Sequence, residues 1–325
     1  MDTQAKRRVL CLAGPTGAGK TALAIRLATT LGCEIVNADS RQVYADFPII
    51  TAQPSAEEQA QASHHLYGFL STEATIDVQS WMDMALGTMD NILARGRIPL
   101  LVGGTGMYFE RLLHGIADIP AIDSSLHARL EDMVAKEGAP ALHALLQERD
   151  PVLARRLHPN DRQRIVRGLE VAMGTAHPLS WWQQHAHRAP SCEGPLLVVN
   201  TSLAQLEPGL AARIDKMLAH GALDEAKRAL ARCQDPKAPG WSGIGCRELF
   251  AFLAGSLDLA AARKLWLKNT RAYAKRQITW FRGRAEAVWI GADDLDAALR
   301  AWEDFCAGRG AVPEEGHKED SGDNG

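Results

Sequence analysis

Eight consecutive residues decide the fold class of this chain. They match the phosphate-loop pattern G-x-x-x-x-G-K-[ST] at every fixed position, and they read Gly14, Pro15, Thr16, Gly17, Ala18, Gly19, Lys20 and Thr21. The apolar run at 9–13 predicts a buried strand before them, and leucines at every fourth position in 21–31 predict a helix after them. A glycine-rich turn between a strand and a helix is an anion site, because backbone N–H groups and the helix dipole both attract phosphate.

Two side chains of this loop have expected roles. The Lys20 ammonium should reach the outer phosphates of a ligand, and the Thr21 hydroxyl should hold Mg²⁺. The motif predicts phosphate binding, as in nucleotide-binding and ATP-binding proteins. It does not identify the group attached to the phosphates.

The segments around the loop alternate between strands and helices. Further strands are predicted at 34–38, 99–102, 196–201 and 287–290, with a helix at 78–94. This alternation predicts an α/β fold: a P-loop NTPase-like core with a mostly parallel sheet covered by helices.

The stretch from about 116 to 195 breaks this alternation, because it has helical spacing and no convincing strand. We interpret it as an all-helical domain inserted between two strands of the core. The predicted boundaries are 1–117 for the first part of the core, 118–195 for the insertion, 196–306 for the second part, and 307–325 for an acidic tail expected to be disordered.

Composition excludes several classes of protein. The chain has 325 residues, is 46% hydrophobic and carries a net charge of −3, so no global basic field indicates nucleic acid. No apolar stretch approaches the roughly 18 residues that would span a membrane. The six cysteines are scattered without a C-x-x-C pair, which favours reduced thiols and a cytoplasmic protein. A monomer is the expected oligomeric state, and His64 and His65 are interpreted as turn or loop residues rather than metal ligands.

Asp39 follows the second predicted strand and precedes Ser40, Arg41 and Gln42. The carboxyl ends of strands in open α/β sheets face the ligand crevice, so Asp39 should point toward the bound phosphates. It could serve there as a general base or near magnesium. A helix cap or a loop carboxylate is the structural alternative.

A glycine-rich turn, GGTG at 103–106, ends the third predicted strand. Glycines permit a ligand or another backbone to approach closely, and Thr105 supplies a hydroxyl. A tight strand-to-helix turn would need the same residues, so spacing alone leaves both explanations open.

Two helical segments are basic on one face. In the insertion, Gln163 and Arg167 share a face that Arg164 flanks. Further along, the helix at 260–282 carries a cationic stripe, and no acidic residue occurs from 259 to 285. Such a stripe favours nucleic-acid phosphates, whereas an ordinary solvated face is the alternative for both segments. The stripe consists of Lys264, Lys268, Arg271, Lys275 and Arg282.

Taken together, six segments resemble the tRNA dimethylallyltransferases, also called tRNA isopentenyltransferases. Their order along the chain matches the family, and the match runs from about residue 9 to 290. The segments are GPTGAGKT (14–21), NADSRQVY (37–44), GGTGMYF (103–109), LHPNDRQRIVRGLEV (157–171), GIGCRE (243–248) and KRQITWFR (275–282).

The chain also departs from the family pattern. The family usually continues after Tyr44 as RGLDIGTAKP, whereas this chain reads ADFPIITAQP, with Ile50 for a glycine and Gln53 for a lysine. Cys246 stands where the family has tyrosine, and Gly209 where an arginine often precedes Arg213.

The resemblance implies transfer of a dimethylallyl group from dimethylallyl diphosphate to N6 of the adenosine just 3′ of a tRNA anticodon, with Mg²⁺ as cofactor. The phosphate loop would hold the diphosphate, Asp39 would take the proton, Thr105 and Gln42 would line the channel for the base, and Arg213 would contact the diphosphate. The expected tRNA contacts are Asp39, Ser40, Arg41, Gln42, Thr105, Gln163, Arg164, Arg167, Gly245, Arg247, Lys275, Arg276, Gln277, Thr279, Trp280 and Arg282.

Three other activities use a similar loop. A small-molecule kinase would bind ATP there and place Asp39 on a substrate hydroxyl, but it has no need of a cationic helix. A nucleic-acid-dependent NTPase would need a second acidic motif, and none is convincing in the sequence. A prenyltransferase that acts on free adenine nucleotides would not need the predicted RNA contacts.

Overall fold

We describe the protein from a computed structural model that covers residues 6–185 and 187–309. The chain forms two compact units. The first combines the residues before 114 with those from 192 onward, and the second spans His114–Ser191. Of the tail predicted at 307–325, the part from 310 onward lies outside the described residues.

A six-stranded parallel sheet forms the centre of the first unit. Its strands are β1 (Leu10–Ala13), β2 (Cys33–Asn37), β3 (His64–His65), β4 (Ile98–Gly103), β5 (Leu196–Val199) and β6 (Ala287–Ile290). The order across the sheet is β6-β5-β1-β4-β2-β3, and every pair is parallel. The five strands that the sequence predicted are all present, so the α/β prediction is confirmed. The prediction for His64 and His65 is wrong: they form a short edge strand, too brief to show periodicity.

Helices of the first unit cover both faces of this sheet. They are α1 (Lys20–Leu31), α2 (Ala56–Gln61), α3 (Val78–Ala94), α4 (Gly106–His114), α10 (Leu203–Ala219), α11 (Ala222–Arg232), α12 (Cys246–Leu253), α13 (Leu259–Arg282) and α14 (Leu295–Cys306), with a 3₁₀ turn at Pro239–Ser242.

Alternate residues of β1 enter two different cores. Leu10 and Leu12 pack with α1, whereas Cys11 and Ala13 pack with α3 and α4. Successive side chains of a strand point to opposite faces, and burial on both faces explains the continuous apolar run of β1. A third core, away from the sheet, joins α10–α13 to the loop that follows Asp39 and includes Phe47, Ile50 and Trp266.

Within its described residues, the second unit is helical apart from one two-residue antiparallel pair, Ile116–Ala117 with His187–Arg188. Its own core joins four helices through residues such as Leu130, Leu146, Leu153 and Ile165. The helices are α5 (Ser124–Glu137), α6 (Ala139–Arg149), α7 (Pro151–Ala154), α8 (Arg162–Gly174) and α9 (Leu179–His185).

Asp150 and Asp161 start two helices of the second unit as N-cap residues. The Asp150 carboxylate accepts hydrogen bonds from Leu153 N and Ser180 N, and Asp161 caps α8. Across the described ranges of both units, no helix combines the length and the apolarity that a membrane crossing requires.

Candidate functional site

The phosphate loop connects β1 to α1 and has the geometry of an anion site. Gly17 and Gly19 have φ of 82° and 84°, in the left-handed region that favours glycine. Gly19 is the N-cap of α1 and has no side chain to cap the helix. The first N–H groups of α1 therefore face the loop without a side-chain acceptor from the N-cap, as a bound anion requires.

Lys20 lies over this loop. Its Nζ donates to the backbone oxygens of Gly14 at 2.9 Å and Pro15 at 2.8 Å. Burial lowers the pKa of Lys20 to about 8; the Asp39 carboxylate opposes this shift, and the Arg213 guanidinium adds to it. The ammonium, the carboxylate and the guanidinium therefore lie close enough to interact, although they are far apart in sequence.

Asp39 is held at the end of β2 by its neighbours. Asn37, which is fully buried, donates from Nδ2 to the Asp39 carbonyl at 3.0 Å and accepts from Asp39 N at 2.9 Å. The Asp39 Oδ1 accepts from Arg41 N at 2.9 Å. This arrangement fixes the backbone and one carboxylate oxygen.

Three tyrosines that were not among the predicted site residues lie near the Asp39 carboxylate. Burial raises the pKa of Tyr67, Tyr108 and Tyr273, and the negative charge of Asp39 raises each further. The Thr105 side chain acts in the opposite direction on the pKa of Tyr273 and lowers it. The position of Tyr273 on α13, four residues before Gln277, is the only signal that could have found it.

The GGTG turn packs tightly against the rest of the protein. A Cβ at Gly103 would collide with the Ala38 carbonyl, one at Gly104 with Gln277, and one at Gly106 with the Trp280 ring. Close approach of another backbone segment at Gly103, and of two α13 side chains at Gly104 and Gly106, accounts for these glycines.

Thr105 links this turn to the segment after Asp39. Its N–H donates to the Ala38 carbonyl at 3.2 Å, its Oγ1 accepts from Ser40 N at 3.0 Å, and Ser40 Oγ lies 3.3 Å from it. The hydroxyl therefore supports the Asp39 loop.

A cavity of about 220 Å³ joins these elements within the first unit. Its polar lining comes from the phosphate loop, the Asp39 segment and two helices. Its apolar lining belongs mainly to the third core. The polar residues are Thr16, Asp39, Arg41, Thr51, Arg213, Ser242, Thr270, Tyr273 and Arg276, and the apolar ones are Ile50, Leu210, Ile214, Met217, Ile244 and Trp266.

Three residues predicted to contact tRNA have other partners. Gln277 is 5% exposed, and both ends of its amide are bonded inside the protein. Gly245 is buried, and its N–H donates to Glu248 at 2.6 Å. Gln42 donates to the carbonyls of Thr51 and Ala52. These hydrogen-bonding groups are therefore already paired within the protein.

The cationic stripe on α13 is partly neutralised, contrary to expectation. Arg271 pairs with Glu207 of α10 at 3.2 Å, and Arg263 beside the stripe pairs with Asp215 of the same helix. The sequence of α13 alone contains no acidic residue, so carboxylates supplied by a neighbouring helix escaped notice. Among the other residues of this region that are expected to contact tRNA, Trp280 is half-buried. The rest are exposed: Arg247, Lys275, Arg276, Thr279 and Arg282.

The three expected contacts of the insertion lie on α8 of the second unit. Gln163, Arg164 and Arg167 are all exposed. Arg167 pairs with Glu170 at 2.9 Å, and Arg164 lies 3.4 Å from the carboxylate of Asp161. Their charges are therefore partly compensated on the same helix.

The sheet, the loop and the cavity define a class of protein: an α/β protein with a phosphate loop beside a cavity that has polar and apolar walls. Comparison with known families narrows this class. A family model described as IPP transferase matches residues 42–284, and one described as isopentenyl transferase matches residues 7–69. The chain belongs to the tRNA dimethylallyltransferase family, so the resemblance seen in the sequence is confirmed.

Individual relatives are similar over nearly their whole length. The tRNA dimethylallyltransferase of Desulfovibrio desulfuricans is 58% identical over 293 residues, covering 90% of this chain and 91% of that protein. That of Nitratidesulfovibrio vulgaris strain DP4 is 54% identical over 300 residues, covering 92% and 97%.

Two solved structures have the same fold. The tRNA isopentenylpyrophosphate transferase of Bacillus halodurans is 31% identical with a TM-score of 0.66, covering 94% of this chain and 97% of that one. A eukaryotic dimethylallyltransferase described as acting on tRNA is 28% identical with a TM-score of 0.79, covering 96% and 82%.

Proposed function

We propose that the protein transfers a dimethylallyl group from dimethylallyl diphosphate to N6 of the adenosine just 3′ of the anticodon in tRNA and releases diphosphate. One observation carries this proposal: a single cavity contains a phosphate-loop residue, a carboxylate and an apolar wall. A donor that joins a diphosphate to a short hydrocarbon needs that combination.

The diphosphate of the donor would bind the start of α1. Lys20 and Arg213 supply positive charge there, and the N–H groups at the start of the helix supply hydrogen bonds. The hydrocarbon would contact the apolar wall, which includes Ile50, Ile214 and Trp266. As the diphosphate leaves, these same groups stabilise the charge that grows on it.

Asp39 would act as the general base. The exocyclic amine of adenosine forms a bond to C1 of the dimethylallyl group while the bond between C1 and the diphosphate oxygen breaks. The amine proton passes to the Asp39 carboxylate, and the bonding electron pair leaves with the diphosphate. The Asp39 oxygen that does not accept from Arg41 N has a free lone pair for this proton.

The residues present fit a magnesium ion that arrives with the diphosphate. Among the described residues, no three His, Cys, Asp or Glu side chains gather as a metal site. Mg²⁺ commonly uses one or two protein oxygens together with substrate phosphates, and the Thr21 hydroxyl at the start of α1 offers one. Bound in this way, Mg²⁺ would supply further charge stabilisation on the diphosphate.

RNA would bind through exposed cations on both units. We assign Arg247, Lys275 and Arg282 to phosphate contacts, and the exposed face of α8 to the anticodon stem-loop. A base must leave its stack to reach a half-buried carboxylate, as other base-modifying enzymes require. We also propose that the protein is a cytoplasmic monomer.

A transfer assay tests this function. The protein is incubated with Mg²⁺, labelled dimethylallyl diphosphate and one of three acceptors: unmodified tRNA, tRNA with guanosine in place of the target adenosine, or AMP. We expect label on the first acceptor alone. Label on AMP, or ATP hydrolysis without prenyl transfer, would contradict the proposal.

A further inference from the structure

One buried amide joins three segments that are far apart in the sequence. Gln277 lies on α13 and is 5% exposed, although Lys275, Arg276 and Thr279 around it are exposed. Its Oε1 accepts from Thr16 N in the phosphate loop at 2.9 Å. Its Nε2 donates to the Gly104 carbonyl in the GGTG turn at 3.0 Å.

The chemistry of these two partners selects a carboxamide. Thr16 N–H can only donate, and the Gly104 carbonyl can only accept. A side chain between them must therefore accept at one end and donate at the other. Glutamine does this in neutral form, whereas ionised glutamate only accepts and lysine only donates.

The turn is shaped around this amide. A Cβ at Gly104 would collide with Gln277 Nε2, so the glycine leaves room for the side chain. One turn further along α13, the Trp280 ring occupies the space that a side chain at Gly106 would need. The GGTG turn therefore docks on α13 through two adjacent contacts.

The bond to Thr16 has a consequence for the phosphate loop. Because Gln277 takes the Thr16 N–H, the start of the loop is fixed to α13, and the N–H groups at the start of α1 are left for an anion. Thr16 itself lines the cavity. The hydrogen bond therefore ties the start of the phosphate loop to a residue 261 positions away.

We propose that Gln277 is a positioning residue that holds the phosphate loop in its diphosphate-binding conformation and does not contact RNA. This inference rests on the proposed function of the loop as the donor diphosphate site. Loss of the Gln277 amide would weaken donor binding. The exposed cations of α13, and hence tRNA binding, would stay in place.

Two variants test this role. Gln277→Met keeps the length of the side chain and loses both hydrogen bonds, so we expect the KM for dimethylallyl diphosphate to rise at least tenfold and the Kd for tRNA to stay within twofold. Gln277→Glu restores the required pattern only when protonated, because a carboxylic acid can donate to Gly104 and accept from Thr16. Its donor KM, divided by that of the wild type at the same pH, should improve at least threefold from pH 8 to pH 5.5.

Asn269→Leu is the matched control. Asn269 is another amide on α13, and it donates to Glu248 at 2.6 Å rather than to the phosphate loop. We expect this variant to lower Tm and to leave the donor KM within twofold. Should Gln277→Met fail to fold, the pH response of Gln277→Glu decides the question in a folded protein.

Two results would overturn the inference. An unchanged donor KM in both Gln277 variants would show that the amide does not position the loop. A raised Kd for tRNA with an unchanged donor KM would show that Gln277 serves RNA. If the wild type itself transfers no dimethylallyl group, the proposed function fails instead, which the same assay distinguishes.

Discussion

The carboxylate of Glu225 on α11 accepts a hydrogen bond from the backbone N–H of Ile50 at 2.9 Å, across 175 positions of sequence. Its other oxygen accepts from Ile49 N at 2.8 Å. Glu225 is 2% exposed, and burial raises its pKa against the opposing effect of these two bonds. Since Ile50 and Thr51 line the cavity, a helix outside the sheet sets one wall of the site.

Replacement of Glu225 should therefore impair stability and donor binding together. Glu225→Ala leaves two N–H groups without their acceptor, which we expect to lower the free energy of unfolding by about 2–4 kcal/mol. Glu225→Gln keeps one acceptor oxygen, so it should lower the free energy of unfolding by about half as much. Urea unfolding measures the stability, and the KM for dimethylallyl diphosphate shows whether the cavity wall at Ile50 and Thr51 has changed. A folded Glu225→Ala protein with wild-type donor KM would show that the loop does not shape the site.

The lowered pKa of Lys20 predicts a pH-dependent donor affinity. In the free protein Lys20 loses its proton as the pH rises through about 8. A diphosphate binds the protonated form, so its Kd should rise by up to about tenfold per pH unit above that value. Lys20→Arg stays charged and should show a flat profile over the same range. Calorimetric titration with dimethylallyl diphosphate from pH 7 to 9.5 provides the measurement, and a flat wild-type profile would exclude Lys20 as a contact.

The stability of the free protein should increase with pH over the range in which its affinity for the donor decreases. The pKa of Lys20 in the folded state is below its usual value of 10.5, so the unfolded chain binds more protons between pH 8 and 10.5. The contribution of Lys20 to the free energy of unfolding therefore rises with pH across that interval. Lys20→Met should abolish this contribution, and an identical pH dependence in both proteins would contradict the assignment.

The cationic stripe should bind RNA through its unpaired members. Lys275 and Arg282 are exposed, so neutralising both should weaken tRNA binding and reduce the slope of log Kd against log salt concentration by roughly 1.5. Arg271 pairs with Glu207, so Arg271→Ala should change the slope less. Filter binding of tRNA between 50 and 300 mM salt gives this slope for the wild type and for each variant. Equal slopes in the wild type and the double variant would make this an ordinary solvated face.

Local sequence patterns predicted the strands, the phosphate loop and the helix that frame the site. The phosphate loop needs only a strand, glycines and a helix start, all of which are contiguous in the sequence. Asp39 could be placed because the carboxyl ends of parallel strands share one edge of the sheet. Both features depend on residues close together in the chain and on general rules of topology.

Contacts between residues far apart in the sequence could not be predicted from local sequence patterns. Gln277 resembles a surface residue of a cationic helix until Thr16 and Gly104 are seen against its amide. The sequence showed Ile50 only as a departure from the family pattern and did not single out Glu225, because their hydrogen bond forms only when folding brings them together. The acceptor for Arg271 likewise comes from another helix.

In the proposed mechanism, one cavity joins the diphosphate site to a general base, Asp39. Asp39→Asn tests it most directly, because the amide oxygen can still accept from Arg41 N while the basicity is lost. The measurement is the single-turnover rate of dimethylallyl transfer to bound tRNA, with tRNA and donor Kd values measured alongside. We predict Kd values within about threefold of the wild type and a rate lower by about 10²–10⁴-fold. A near-normal rate in Asp39→Asn would contradict the role of Asp39 and with it the mechanism proposed for this cavity.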